Sequence, residues 1–135
     1  MFGYAMMAAP DIRTSLRIAD RFDRLTYTLQ TLHFIEKDGI GILQFTATGL
    51  NLDPVLKAFF ADRDLASSTL GARSIALEQS PAILKVTLEH GDNGHAGAYE
   101  AFFSCPVEFN AASNSVAFSA QQLDRPNPYR NAAAF

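Results

Sequence analysis

The chain has 135 residues, of which 48% are apolar and 19% are charged, a composition typical of one globular domain rather than of a disordered chain. Its net charge of −3 argues against an intrinsic affinity for DNA, because phosphate contacts require a basic surface. The single cysteine excludes an internal disulfide, and no cysteine and histidine spacing fits a zinc scaffold, so we expect neither a metal nor a cofactor.

The first predicted element is a helix over residues 12–27, which Asp11 can cap directly after Pro10. Apolar residues recur on one face at helical spacing, namely Ile12, Leu16, Ala19, Phe22 and Leu25. The opposite side carries four arginines, which are Arg13, Arg17, Arg21 and Arg24. This stripe could bind an anion, a phosphate backbone or an acidic partner surface, but acidic neighbours dilute its charge, and we interpret it as a solvated helix face.

The clearest local pattern is a β-hairpin over residues 29–48, in which two extended runs flank the turn dipeptide Asp38-Gly39. A two-residue turn pairs Lys37 with Ile40 and thereby sets the register of both strands. One face then holds four large apolar side chains, namely Leu32, Phe34, Leu43 and Phe45. The other face is mixed, with the cross-strand pairs Thr31 and Thr46, His33 and Gln44, and Ile35 and Ile42.

A second helix begins at Pro54, with Asp53 before it as the cap, and is predicted to end near Leu70. Its apolar residues repeat at i, i+1, i+4 and i+5, namely Val55, Leu56, Phe59 and Phe60. Residues 72–79 allow either more helix or an irregular connection.

The last third of the chain predicts a strand, a short helix and a second hairpin. Alternating apolar and polar residues indicate the strand over residues 81–90. The helix, over residues 96–104, brings three aromatic side chains together, namely Tyr99, Phe102 and Phe103. In the hairpin, residues 106–109 pair with residues 115–120.

This order of elements predicts an α+β fold. An antiparallel sheet with helices packed on one face buries the single apolar stripe of each helix. In this arrangement, two helix-hairpin units are joined by a long helix and a strand. No low-complexity linker divides the chain, so residues 1–135 are expected to form one domain.

Two blocks of motifs resemble one protein family. They are Gly3-Tyr4-Ala5-Met6-Met7-Ala8-Ala9-Pro10, and then His90, Tyr99, Phe103, Cys105-Pro106-Val107, Phe109, Asn114, Phe118 and Leu123-Asp124-Arg125-Pro126. These motifs resemble the N-terminal effector domain of AraC-type transcription regulators, in the arabinose-binding-domain-like group that includes the ornithine and arginine regulators.

The resemblance implies a ligand-sensing and dimerisation domain without catalytic activity. Its effector would be a small molecule such as an amino acid, a sugar or a small organic acid, and the protein would act as a cytoplasmic homodimer. The family's helix-turn-helix region lies C-terminal to this domain, and nothing after Pro128 resembles it. The resemblance therefore implies a truncated domain that reaches DNA only through the missing region.

Residues 1–10 carry no basic leader and are too short to span a bilayer, and we expect neither a signal peptide nor a membrane helix.

The predicted effector site is the mixed face of the first hairpin, because pockets for metabolites combine an apolar lining with a few placed polar groups. Its polar residues are Thr31, His33, Gln44 and Thr46. His90 and Tyr99 join them by their match to the family motifs. The alternatives are purely structural roles. The four hairpin residues would lie on a solvated sheet face, His90 would cap a loop, and Tyr99 would pack in the core.

The competing function is a stand-alone protein–protein association module, which would use an exposed sheet face or an edge strand as a homodimer surface. An enzyme ranks third, because the three histidines lie in no catalytic spacing and no catalytic or metal-binding residues are predicted.

Overall fold

A computed structural model describes residues 8–21, 31–46, 53–76, 83–127 and 130–131. The helices and strands within these ranges follow one another as α1 (Ile12–Arg21), β1 (Thr31–Lys37), β2 (Ile40–Thr46), α2 (Pro54–Ala76), β3 (Ile83–Thr87), α3 (Ala96–Phe103), β4 (Val107–Glu108), β5 (Asn114–Ser119) and α4 (Ala120–Leu123). None of the described helices is long and apolar enough to cross a membrane.

One five-stranded sheet, with strand order β1-β2-β5-β3-β4, organises the fold. All neighbouring strands are antiparallel except β3 and β4, which are parallel. The sheet and the four described helices confirm the predicted α+β class.

The register of the first hairpin is the predicted one, with Lys37 opposite Ile40 and Phe34 opposite Leu43. Asp38 and Gly39 have φ values of 53° and 77°, the left-handed conformations that a type I′ turn requires at both central positions.

The predicted hairpin between residues 106–109 and residues 115–120 is wrong. In the sheet β3 lies between β4 and β5, so these two strands do not pair. Asn110 takes a left-handed conformation with a φ of 55°, and the N–H of Ala111 then donates to the carbonyl of Leu88 across the end of β3. The chain therefore crosses over β3 before β5 begins, a long-range pairing that local strand patterns do not reveal.

Two element ends differ from their predictions. α2 continues to Ala76 instead of ending near Leu70, because Leu65 and Thr69 are buried and packing outweighs the weak helix propensity of the serines and threonine before residue 70. β3 ends at Thr87, although the strand was predicted to reach His90. The predicted second half of the first helix, after Arg21, lies outside the described residues.

The core lies on one face of the sheet, where the helices cover it. The four apolar side chains of the first hairpin are all buried there, as their register predicts. Each helix contributes buried residues to the same cluster, including Leu16 from α1, Leu65 from α2, Phe103 from α3 and Leu123 from α4. Removing this apolar surface from water is the main driving force for the assembly.

The apolar repeat of α2 does not face this core. Val55, Leu56 and Phe59 are 76%, 47% and 58% exposed, whereas Ala61 and Leu65 are buried. α2 therefore packs on the sheet through small and aliphatic residues in its second and third turns, and presents large apolar side chains to the outside.

The arginines of α1 attach it to the sheet, contrary to our interpretation of a solvated face. Arg13 forms ion pairs with Glu36 at the end of β1 and with Asp124 after α4. The hydrogen bonds to Asp124 and Glu36 raise the pKa of the Arg13 guanidinium above its ordinary value. Arg17 also pairs with Glu36 at 3.1 Å and lies over the ring of Phe34. Arg24 lies outside the described residues.

Gly41 on β2 provides a test of the packing between α4 and the sheet. A Cβ atom at this position would clash with Cδ1 of Leu123, whose side chain is fully buried and has little room to move. We expect Gly41→Ala to lower the free energy of unfolding in urea by about 1–3 kcal/mol. Gly97→Ala is the matched control, because nothing lies within 4 Å of a Cβ there and alanine favours the helix. Equal stabilities for the two variants would contradict this packing.

Candidate functional site

Asp62 joins three elements at one end of the sheet. Its Oδ1 lies 2.7 Å from Nε2 of His90, which follows β3, and its Oδ2 accepts a 2.5 Å hydrogen bond from the hydroxyl of Tyr99 on α3. Nδ1 of His90 lies 2.7 Å from the carbonyl oxygen of Gly91. Both ring nitrogens thus face oxygens, so both bonds form at once only when His90 is an imidazolium or Asp62 carries a proton.

The fold directs these side chains toward one another. His90 continues the alternation of Val86 and Leu88, which are both fully buried on the helix-covered face. Asp62 follows Ala61, through which α2 packs on that face. The predicted loop-capping bond of His90 is present, and the same ring also reaches Asp62.

Three rings pack beside the Asp62 carboxylate. The Tyr99 and Phe109 centroids lie 5.1 Å apart in an edge-on arrangement, and the His90 ring lies 5.9 Å and 6.1 Å from these two. Such edge-to-face contacts fix ring orientations. Burial, followed by the hydrogen bond to Asp62, raises the pKa of Tyr99 above its ordinary value, so the hydroxyl is a donor at neutral pH.

Two depressions flank this network along α2. The first, of about 170 Å³, is lined by Pro54, Lys57, Ala58, Ala61, Glu89, His90 and Asn114. The second, of about 250 Å³, is lined by Asp62, Ala66, Ala98, Tyr99, Phe102 and Phe103. The first combines apolar helix residues with charged and polar groups from the sheet, whereas the second is almost entirely apolar. No three metal-ligating side chains come together in the described part of the chain.

The six predicted ligand residues fall into two groups. Thr31 pairs with Thr46 and His33 pairs with Gln44, as predicted, on the face of the sheet opposite the helices. We call it the open sheet face, because no described helix packs its buried residues there. The His33 side chain is 55% exposed, with its Nδ1 3.6 Å from a carboxylate oxygen of Asp20 on α1, whereas Thr31, Gln44 and Thr46 are half-buried. The remaining two, His90 and Tyr99, meet at Asp62 on the helix-covered face, so one small molecule would not contact both groups.

Sequence reasoning missed Asp62, Lys57 and Glu89. Asp62 lies between the buried α2 positions Ala61 and Leu65, but the exposed apolar repeat at the start of α2 concealed which face of the helix is buried. Asn114 was recognised as a family position. The residue is only 4% exposed, and its side chain accepts a 2.9 Å hydrogen bond from the N–H of Glu89. It thereby holds the end of β3 in place.

Tyr99→Phe tests the network, because it removes the hydroxyl and keeps the ring. Since the Asp62 side chain is 36% exposed, the lost charge-assisted bond should lower the free energy of unfolding by only about 1 kcal/mol at pH 7. Because the pKa of Tyr99 is raised in the folded state, its contribution to stability is complete below the ordinary tyrosine value and is lost progressively as the pH rises from there through the raised value. The difference between the two proteins should therefore shrink above pH about 10 in urea titrations. A constant difference from pH 7 to pH 11 would contradict the bond.

Comparisons with known proteins agree with this fold. The family model described as the N-terminal arabinose-binding domain of AraC transcription regulator matches residues 1–127. The crystal structure of the transcriptional regulator CdpR from Pseudomonas aeruginosa superposes with a TM-score of 0.82 at 17% identity, over 99% of this chain and 43% of that chain. The chain thus spans less than half the length of that regulator, and no curated protein matches it. This chain belongs to the family of N-terminal arabinose-binding domains of AraC-type transcription regulators.

Proposed function

We propose that the chain is the ligand-sensing and dimerisation part of an AraC-type transcription regulator. It is non-catalytic, binds a small metabolite and controls an attached helix-turn-helix region, through which the full-length protein reaches DNA. The observation that carries this proposal is the polar and apolar cleft beside Asp62, His90 and Tyr99, in a domain whose family is a regulatory one.

A ligand in the 170 Å³ depression would touch α2 and the end of β3 at the same time. Ligand binding shifts a conformational equilibrium only when the ligand prefers one arrangement of the protein over another. A molecule that bridges a helix and a strand meets this condition, because it favours the arrangement in which both walls are in contact with it. The cleft is therefore a suitable place for an effector.

The open sheet face is the second candidate for the effector site. Thr31, Thr46, His33 and Gln44 supply donors and acceptors there beside Ile35 and Ile42. The described helices pack their buried residues on the other side of the sheet, and among them α1 reaches this face only at its edge, through Asp20. A site that buries most of a ligand needs concave walls, so we favour the cleft.

Ligand-dependent thermal unfolding tests the sensor function. A panel of amino acids, sugars and small organic acids should contain a compound that raises the unfolding midpoint, because a ligand that binds only the folded state stabilises it. Ala58→Leu, which fills the cleft from α2, should abolish that shift, whereas Gln44→Ala on the open sheet face should preserve it. The opposite pattern would move the site to the sheet face, and no shift with any compound would refute the sensor function.

The exposed apolar side chains of α2 favour a further role in association. Val55, Leu56 and Phe59 lie together within two turns of the helix and are largely exposed. Such a patch is typical of a protein–protein contact, and we propose that it forms the homodimer surface. For the stand-alone association module, the sequence predicts a different surface, namely an exposed sheet face or an edge strand.

Sedimentation velocity distinguishes the possible dimer surfaces. Phe59→Ser should weaken self-association at least tenfold, because it removes the largest apolar side chain of the patch. Ile35→Ser is the matched control, since Ile35 is 46% exposed on the open sheet face. A loss of the dimer only in Ile35→Ser would assign association to the sheet face instead. A midpoint that depends on protein concentration but on no ligand would favour the stand-alone association module.

A further inference from the structure

We infer that the cleft between the start of α2 and the end of β3 binds a small zwitterion, with Lys57 taking its anionic group and Glu89 its cationic group. This inference rests on the proposed function and names the chemical class of the effector. It follows from the charges, the walls and the size of the cleft.

The two walls of the cleft differ in chemistry. α2 supplies an apolar wall of Pro54, Ala58 and Ala61. The sheet supplies the polar wall, with Glu89, His90 and Asn114. A ligand with a short carbon skeleton and polar groups at one end matches this division, because its carbon atoms pack on the helix while its polar atoms face the sheet.

The polar groups of the sheet wall are unequally available. His90 is engaged through both ring nitrogens, by Asp62 and by the carbonyl of Gly91. The Asn114 side chain accepts from the N–H of Glu89, and its Nδ2 lies 3.4 Å from the Glu89 carboxylate. These bonds hold the Glu89 backbone and side chain at the cleft, and leave most of the carboxylate's acceptor capacity for a ligand.

Lys57 and Glu89 supply one charge of each sign. In the described part of the chain, neither side chain has an ion-pair partner. A ligand with only an anionic group would bring that charge near the Glu89 carboxylate, and one with only a cationic group would meet the Lys57 ammonium. A zwitterion avoids both repulsions and gains both attractions, so the pair of charges selects it over either singly charged analogue.

The size of the cleft limits the ligand to a small molecule. At about 170 Å³ the cleft is smaller than the roughly 300–1,000 Å³ of typical ligand pockets, so it suits a small molecule. A small α-amino acid fits this description, and a larger one would extend its side chain through the open mouth.

Matched ligands test the two charges separately. We would measure binding to the 135-residue chain by calorimetry, with the standard L-amino acids and, as singly charged analogues of L-alanine, L-lactate and L-alaninol. At least one amino acid should bind, and the analogue that lacks its ammonium or its carboxylate should bind at least tenfold more weakly. Because both side chains are exposed, Lys57→Gln and Glu89→Gln should each weaken amino-acid binding about threefold. The controls Lys37→Gln and Glu100→Gln, which change exposed charges outside the cleft, should leave the dissociation constant unchanged.

The outcomes separate this inference from the proposed function. If a sugar or a purely anionic acid binds and no amino acid does, the zwitterion inference fails while the sensor function stands. If an amino acid binds with equal affinity to the Lys57 and Glu89 variants, the cleft is not the site and the inference fails. If no compound of any class binds, both fail. Unfolding midpoints of the ligand-free variants check that each of them remains folded.

Discussion

The register of the Asp38-Gly39 hairpin is the constraint on which the other elements depend. Because side chains alternate between the faces of a strand, a slip of one residue would turn Phe34 and Leu43 to the outside and expose the surface that the helices cover. The left-handed conformations of the two turn residues exclude that slip. β5 then pairs with β2, and β3 with β5, so the buried face continues across the sheet from Phe45.

Local signals were sufficient for the elements whose contacts lie close in sequence. The hairpin register follows from two turn residues, and the start of α2 follows from its proline. The pairing of β4 with β3 was not predictable in this way. β4 has only two residues, and the backbone hydrogen bonds that hold it come from residues of β3 and the residues just after it, which lie far away in the sequence. Similarly, the helical spacing of the α1 arginines does not distinguish residues that face water from residues that pair with distant carboxylates. Arg13, for example, pairs with Asp124, which lies 111 residues away.

The candidate site was harder to predict than the fold for the same reason. Asp62 is separated by 28 residues from His90 and by 37 from Tyr99, and no local spacing relates them. The family motifs identified two members of the network, His90 and Tyr99, as ligand residues, with a structural role in capping or packing as the alternative. The structure gives both interpretations a common basis, because Tyr99 packs on Phe109 and donates to Asp62 from the same position. A ring that supports the core can therefore also fix one wall of a cleft.

α2 connects the two proposed activities physically. Its residues Pro54, Ala58 and Ala61 line the cleft, while Val55, Leu56 and Phe59, from the same two turns, face outward. A helix transmits a displacement of one side to the other, since its backbone hydrogen bonds keep the turns rigid. If a ligand favours one position of α2 against β3, it must also favour one position of the exposed apolar patch. If association through that patch also prefers one of these positions, thermodynamic linkage requires it to change the affinity of the cleft for its ligand, by the same factor as the ligand changes association. Coupling between sensing and association thus requires no separate relay, because the same two turns of one helix contribute to both surfaces.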